Sequence, residues 1–276
     1  MGDLDGQVAI VTGGGLGIGR GIALRLGAAG AHVVVAARRA EHLAETVRQL
    51  RDAGGAGSAR VVDVTRQDEV EALVAETVAD CGRIDLLVNN AGRFKAIGPA
   101  WEADPQDWWQ DVTVNVFGTY LCCRAVIPHM RARGAGTIVV MGGGGSLAGF
   151  AYGSGYGTSK AALVRFAETL QLEVKAFGIG VYAISPGLVR TEMTQFQLDS
   201  PQGQRWLPRI RQSFAEGRDV PPALAGDLCV FLAARGDGRL GGRFFQARDD
   251  VRRIAAAAGE VVAHDLYVLR RSELPA

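Results

Sequence analysis

Short β-branched runs alternate with longer amphipathic segments along this chain, the pattern of βαβ units that build a parallel sheet. Val33-Val34-Val35 and Leu86-Leu87-Val88 are apolar without interruption, as strands covered on both faces must be. The runs predict strands at Gln7–Val11, His32–Ala36, Ala59–Asp63, Ile84–Val88, Thr137–Met141, Val181–Ile184 and Gly241–Gln246. Helical spacing predicts helices near Gly17–Ala29, Ala40–Asp52 and Gln67–Cys81, and a long one from about Tyr156 to Phe177. A further helix starts near Pro221 and Pro222, which suit a first helical turn. No Pro- or Ser-rich linker and no repeat divides the sequence, so residues 1–276 read as one doubly wound α/β domain of Rossmann type. Residues 191–217 are polar, carry Pro201 and Pro208, and break the alternation, which suggests a lid or substrate excursion. Residues 248–276 read as a C-terminal extension of the same domain, packed on a neighbouring subunit, beside a cleft, or on its own domain.

Composition narrows the function. The chain carries 30 basic and 29 acidic residues, interleaved, for a net charge of +1. That leaves no field to steer nucleic acid or an anionic membrane. Its apolar stretches are far shorter than the roughly 20 residues that span a bilayer, and the acidic start lacks an apolar signal core, which argues for the cytoplasm. Cys81, Cys122, Cys123 and Cys229 form no Cys-x-x-Cys pair and read as reduced apolar packers. His32 opens a strand, and His42, His129 and His264 fall on helix surfaces; no metal site is expected.

The first predicted strand runs into Thr12-Gly13-Gly14-Gly15-Leu16-Gly17-Ile18-Gly19 and then a helix. Glycines there allow a tight turn and close approach of a pyrophosphate to the free N–H groups at the helix start. At the end of the second strand, where an acid would hold the ribose hydroxyls, Ala37 is followed by Arg38, which can pair with a 2′-phosphate. NADP(H) is therefore expected over NAD(H), with NAD(H) left open. Tyr156 and Lys160, four apart on one helix face, offer an acid–base pair: the ammonium is expected to draw the phenol down from its usual value near ~10.

Together these motifs resemble the short-chain dehydrogenase/reductase family over roughly residues 5 to 246. The resemblance matches the family's glycine motif to Thr12–Gly19 and its Asn-Asn-Ala-Gly to Asn89, Asn90, Ala91 and Gly92. It implies that Asp63 and Val64 meet the adenine and that Asn115 holds a water linking the lysine to solvent. It also implies that Pro186, Gly187, Val189 and Thr191 close over the nicotinamide. The implied activity is carbonyl–alcohol interconversion on a small-molecule substrate, in a homodimer or homotetramer. One position departs. The family's serine falls on Gly143, within Gly142–Gly145. Ser146 brought in by the glycine loop, Ser154, a water, or no donor at all are the alternatives. A non-redox enzyme or a dinucleotide-binding regulatory protein on the same scaffold is the competing function.

Overall fold

The computed structural model describes residues 2–270. In chain order the first half gives β1 (Val8–Thr12), α1 (Gly17–Ala28), β2 (His32–Ala37), α2 (Ala40–Asp52), β3 (Ala56–Val61), α3 (Gln67–Cys81) and β4 (Leu86–Asn89). Then come α4 (Pro105–Val112), a π-helical turn at Thr113–Phe117, α5 (Gly118–Arg133), β5 (Gly136–Met141), α6 (Ser154–Val174) and β6 (Ile179–Ser185). The last part holds α7 (Glu192–Asp199), α8 (Pro201–Trp206), α9 (Pro208–Ala215), α10 (Ala223–Arg235), β7 (Phe244–Gln246), α11 (Val251–Ala256) and α12 (Ala258–Ala263).

The strands form one parallel sheet in the order β3-β2-β1-β4-β5-β6-β7. Alternate strand side chains feed two cores. Ala9, Val11, Val33 and Val35 face one with α1, α2 and α10, while Val8, Ile10, Val34 and Ala36 face the other with α3, α5 and α6. The chain winds outward from β1 to β3 and then restarts at β4 on the other side, so a crevice opens past the ends of β1 and β4.

Several predicted strands shift: β1 moves one residue on, and β4 runs Leu86–Asn89 rather than Ile84–Val88. β3 lies three residues earlier than expected because its ladder with β2 runs from Ala56 opposite His32 to Val61 opposite Ala37. Its apolar residues Val62 and Val64 follow the ladder and pack inward instead. β6 is longer than predicted and β7 shorter, since Gly241 and Gly242 are turn rather than ladder.

Residues 191–217, read as an irregular excursion, are mostly helical. Thr191 and Ser200 cap α7 and α8 by accepting from Thr194 N–H (3.2 Å) and Gly203 N–H (3.1 Å). Pro201 and Pro208 open α8 and α9, where their missing N–H costs nothing. The extension caps its own domain: Ile254, Ala258 and Val261 join the β1-side core, and Phe244 N–H donates to the Tyr267 carbonyl at 2.8 Å. Residues 271–276 lie outside the described residues. Among the described residues no helix is long and apolar enough to cross a membrane.

Candidate active site

The glycine turn and the start of the β4 loop are tied together by one hydroxyl. Thr12 Oγ1 accepts from the N–H groups of Asn90 (3.0 Å) and Ala91 (3.1 Å), and Asn90 Nδ2 donates to the Thr12 carbonyl at 3.0 Å. Gly13 sits at φ +65°, and a Cβ on Gly19 would lie 2.2 Å from the Gly13 carbonyl oxygen. Only glycine lets the turn fold this tightly onto the α1 terminus. Ile18 packs outward from this turn against the β1-side core.

Beside the turn lies a cavity of about 400 Å³. Of the residues expected to meet a cofactor, Gly13, Gly15, Leu16, Arg38, Asp63, Val64, Ala91 and Gly92 line it. Thr12, Gly17, Ile18, Gly19 and Asn90 belong to the same turn and loop but do not line the cavity, and neither do Tyr156 and Lys160. Pro186, Gly187, Val189 and Thr191 lead from β6 into α7, whose Glu192, Met193 and Phe196 form the facing wall. Thr191 packs directly over the turn, since a Cβ on Gly17 would lie 2.9 Å from its Cγ2. Asp63 turns its carboxylate to Thr65, accepting from N–H at 3.0 Å and from Oγ1 at 2.8 Å.

The cavity fits a dinucleotide on two independent counts. Its floor is a cradle that side chains would fill, and His42 Nδ1, buried with no hydrogen-bond partner, belongs to its wall. His42 is thus a pocket residue rather than the helix-surface histidine expected; the α2 face that carries it is set by packing against the turn, where a Cβ on Gly15 would touch it at 3.0 Å.

Tyr156 and Lys160 stand on the first turns of α6. Phe94 stacks on the Tyr156 ring, with centroids 4.4 Å apart and planes 13° apart, and Phe150 meets it edge-on at 6.0 Å. Lys160 is buried, with Nζ donating to the Met141 carbonyl at 2.9 Å and lying 5.4 Å from the Tyr156 ring centroid. Burial pushes the Tyr156 phenol up to about 12, the Asp111 carboxylate adding to the rise, and pushes the Lys160 ammonium down to about 8. The expected lowering of the tyrosine is therefore reversed in this state. Two aromatic rings strip water from the phenol, and that desolvation outweighs an ammonium engaged by a backbone carbonyl.

Asn115 lies in the π-helical turn, fully buried. Its Oδ1 accepts from Arg93 N–H at 2.8 Å, and Nδ2 donates to the Arg93 carbonyl (3.0 Å) and to Ser159 Oγ (2.8 Å). A Cβ on Gly92 would lie 3.3 Å from Asn115 Oδ1 and 3.9 Å from Lys160 Nζ, so all three groups border one spot. π-Turns often mark such sites.

Ser146 has another task than the one expected of it. Its buried hydroxyl accepts from Gly143 N–H at 3.0 Å and donates to the Lys160 carbonyl at 3.4 Å, bracing the glycine loop. Ser154 Oγ accepts from Trp108 Nε1 at 3.0 Å. The position nearest the tyrosine is Gly143, where a Cβ would lie 2.9 Å from the Tyr156 hydroxyl oxygen.

Two further groups escaped the sequence. Asp111, fully buried, accepts from Lys95 N–H (3.0 Å) and Ala96 N–H (2.9 Å) and pairs with Arg93 at 2.5 Å, fixing the loop that carries Phe94. Arg39 and Glu192 form an ion pair at 2.6 Å across the cavity rim.

The short chain dehydrogenase family matches residues 7–201 of this chain. A 2-(R)-hydroxypropyl-CoM dehydrogenase of Xanthobacter autotrophicus is 38% identical over 234 residues, covering 82% of this chain and 94% of the relative. Among solved structures, an actinorhodin polyketide ketoreductase with NADPH is 34% identical at a TM-score of 0.78, covering 87% of this chain and 95% of that one. An NAD+-bound xylitol dehydrogenase, 28% identical, superposes at a TM-score of 0.80 over 88% of this chain and 98% of its own. With seven parallel strands, a glycine turn at the switch point and these relatives, the chain belongs to the short-chain dehydrogenase/reductase family, oxidoreductases acting on CH–OH and C=O groups with nicotinamide cofactors.

Proposed function

We propose that the protein interconverts a carbonyl and a secondary alcohol using NADP(H), with Tyr156 as the acid–base group. The observation that carries this reading is the Tyr156–Lys160 pair on α6, bordering the same loops as the cavity beside the glycine turn. The bound nicotinamide would supply or accept the hydride. Tyr156, held protonated by its dry surroundings, gives its proton to the carbonyl oxygen in the reductive direction. Lys160, poised near 8, is the next proton source behind it, with Asn115 beside it. Arg38, exposed and without an ion pair among the described residues, is the group that favours a 2′-phosphate. Glu192, Met193 and Phe196 of α7 line the cavity, so α7 is the part of the 191–217 segment that would act as its lid.

Consumption of NADPH against a panel of ketones tests the reading. Tyr156→Phe is expected to lose about 10²- to 10⁴-fold in turnover while its cofactor affinity changes less than about threefold. A Tyr156→Phe variant that turns over like its parent overturns the assignment. The competing reading, a non-redox enzyme or dinucleotide-binding regulator, draws on Gly143, which leaves the tyrosine without a neighbouring hydroxyl. Loss of one such donor slows acyl and carbonyl chemistry by about 10²-fold or more, which retards a reductase without abolishing it.

The exposed aromatic strip of Trp109, Phe117 and Tyr120 with Leu172 supports assembly into a homodimer or homotetramer. Sedimentation velocity at micromolar concentration checks this: an oligomer is expected, and a monomer contradicts it.

A further inference from the structure

Arg38 and Arg39 stand side by side at the end of β2, yet they are not equivalent. Arg38 is exposed and makes no ion pair among the described residues. Arg39 presents its guanidinium fork to Glu192, with Nη2 2.6 Å from Oε2 and Nη1 3.4 Å from Oε1. Glu192 is the first residue of α7, so this pair joins the cofactor side of the cavity to its cover. The hydrogen bond from Arg39, with the Arg39 charge, holds the Glu192 carboxyl below the usual range, so it is ionised at neutral pH. Arg38, Arg39, His42 and Glu192 all line one cavity, and His42 Nδ1 there lacks a partner.

We infer that Glu192 is a cofactor-specificity residue: it occupies the guanidinium fork of Arg39 that a 2′-phosphate would otherwise take, and sets a negative charge beside that phosphate. The inference rests on the cavity of the proposed function. Glu192 takes the Nη1–Nη2 edge of the guanidinium, for which carboxylate and phosphate compete, and leaves only the Nε side of Arg39 for a phosphate. A dinucleotide with a free 2′-hydroxyl carries no charge at that place and does not feel the competition. Glu192 therefore weakens the grip on phosphorylated cofactor and leaves that on the 2′-hydroxyl form unchanged. The two residues are about half exposed, so screening keeps the effect modest.

Dissociation constants of NADPH and NADH, read by tryptophan fluorescence on the purified full chain, test this without turnover. Glu192→Gln is expected to bind NADPH three- to tenfold more tightly, with NADH changed less than twofold. Arg39→Gln is expected to weaken NADPH more in the Glu192→Gln background than in the parent, because only there is the fork released. An unchanged NADPH-to-NADH ratio in Glu192→Gln overturns the inference. So does equal weakening of both cofactors, which would make the pair a latch alone. The parent's own ratio reports separately on the NADP(H) reading: a parent that prefers NADH defeats that reading, while the shift on Glu192→Gln still decides this one.

Discussion

Gly143 and Tyr156 carry the proposed chemistry at the scale of single residues. Gly143 sits at φ +153°, a backbone region that residues with a side chain avoid, and its missing Cβ is the space in front of the Tyr156 hydroxyl. Two penalties therefore meet at one atom. Gly143→Ala is expected to lose about 1–3 kcal/mol of stability from backbone strain. It is also expected to lower kcat/KM by at least about tenfold, since a Cβ 2.9 Å from the phenol oxygen displaces the proton donor from its carbonyl. Thermal melts and steady-state kinetics on the same preparation measure both, and a variant with parental activity contradicts this account of the loop. Tyr156 was legible from its spacing to Lys160, but its raised pKa was not, because the stacked Phe94 and the edge of Phe150 come from two other loops. Ser146 is the reverse case. Its sequence position suggested a substrate contact, and its hydrogen bonds instead brace the Gly143 loop.

At the scale of elements, the loop after β4 is held by one carboxylate. Asp111, on α4, gathers Lys95 N–H, Ala96 N–H and the Arg93 guanidinium in a site with no solvent exposure. Asp111→Ala leaves the Lys95 and Ala96 N–H groups without their acceptor, at a cost of about 1–3 kcal/mol, while Arg93 keeps its pair with Asp107. Asp111→Ala is expected to fall in that range by urea denaturation, and a loss under about 1 kcal/mol contradicts the brace. Elements with local periodicity were readable in the sequence, and α2 and α3 match their predicted bounds. α7 to α9 were not, since their helices are short and are started by Thr191, Ser200 and two prolines rather than by an apolar stripe. β3 slipped because its register is dictated by β2, while the apolar residues that marked it pack after the ladder ends.

The doubly wound sheet, with its strand order reversing between β1 and β4, was the most legible feature, since alternation and a glycine turn after β1 are both local signals. What joins distant parts was not legible. Arg39 meets Glu192, and Phe244 pairs with the backbone of Tyr267, contacts that no spacing rule anticipates. Ile254, Ala258 and Val261 of the extension pack into the β1-side core. The account stands or falls on hydride transfer coupled to Tyr156. Its most direct measurement is mass spectrometry of the product formed from a ketone with NADPH deuterated at the transferring position. The expected result is an alcohol carrying the deuterium on carbon, formed by the parent and reduced at least a hundredfold in Tyr156→Phe, within the range for loss of a general acid. An unlabelled product, or turnover with the cofactor left in its starting oxidation state, would contradict it.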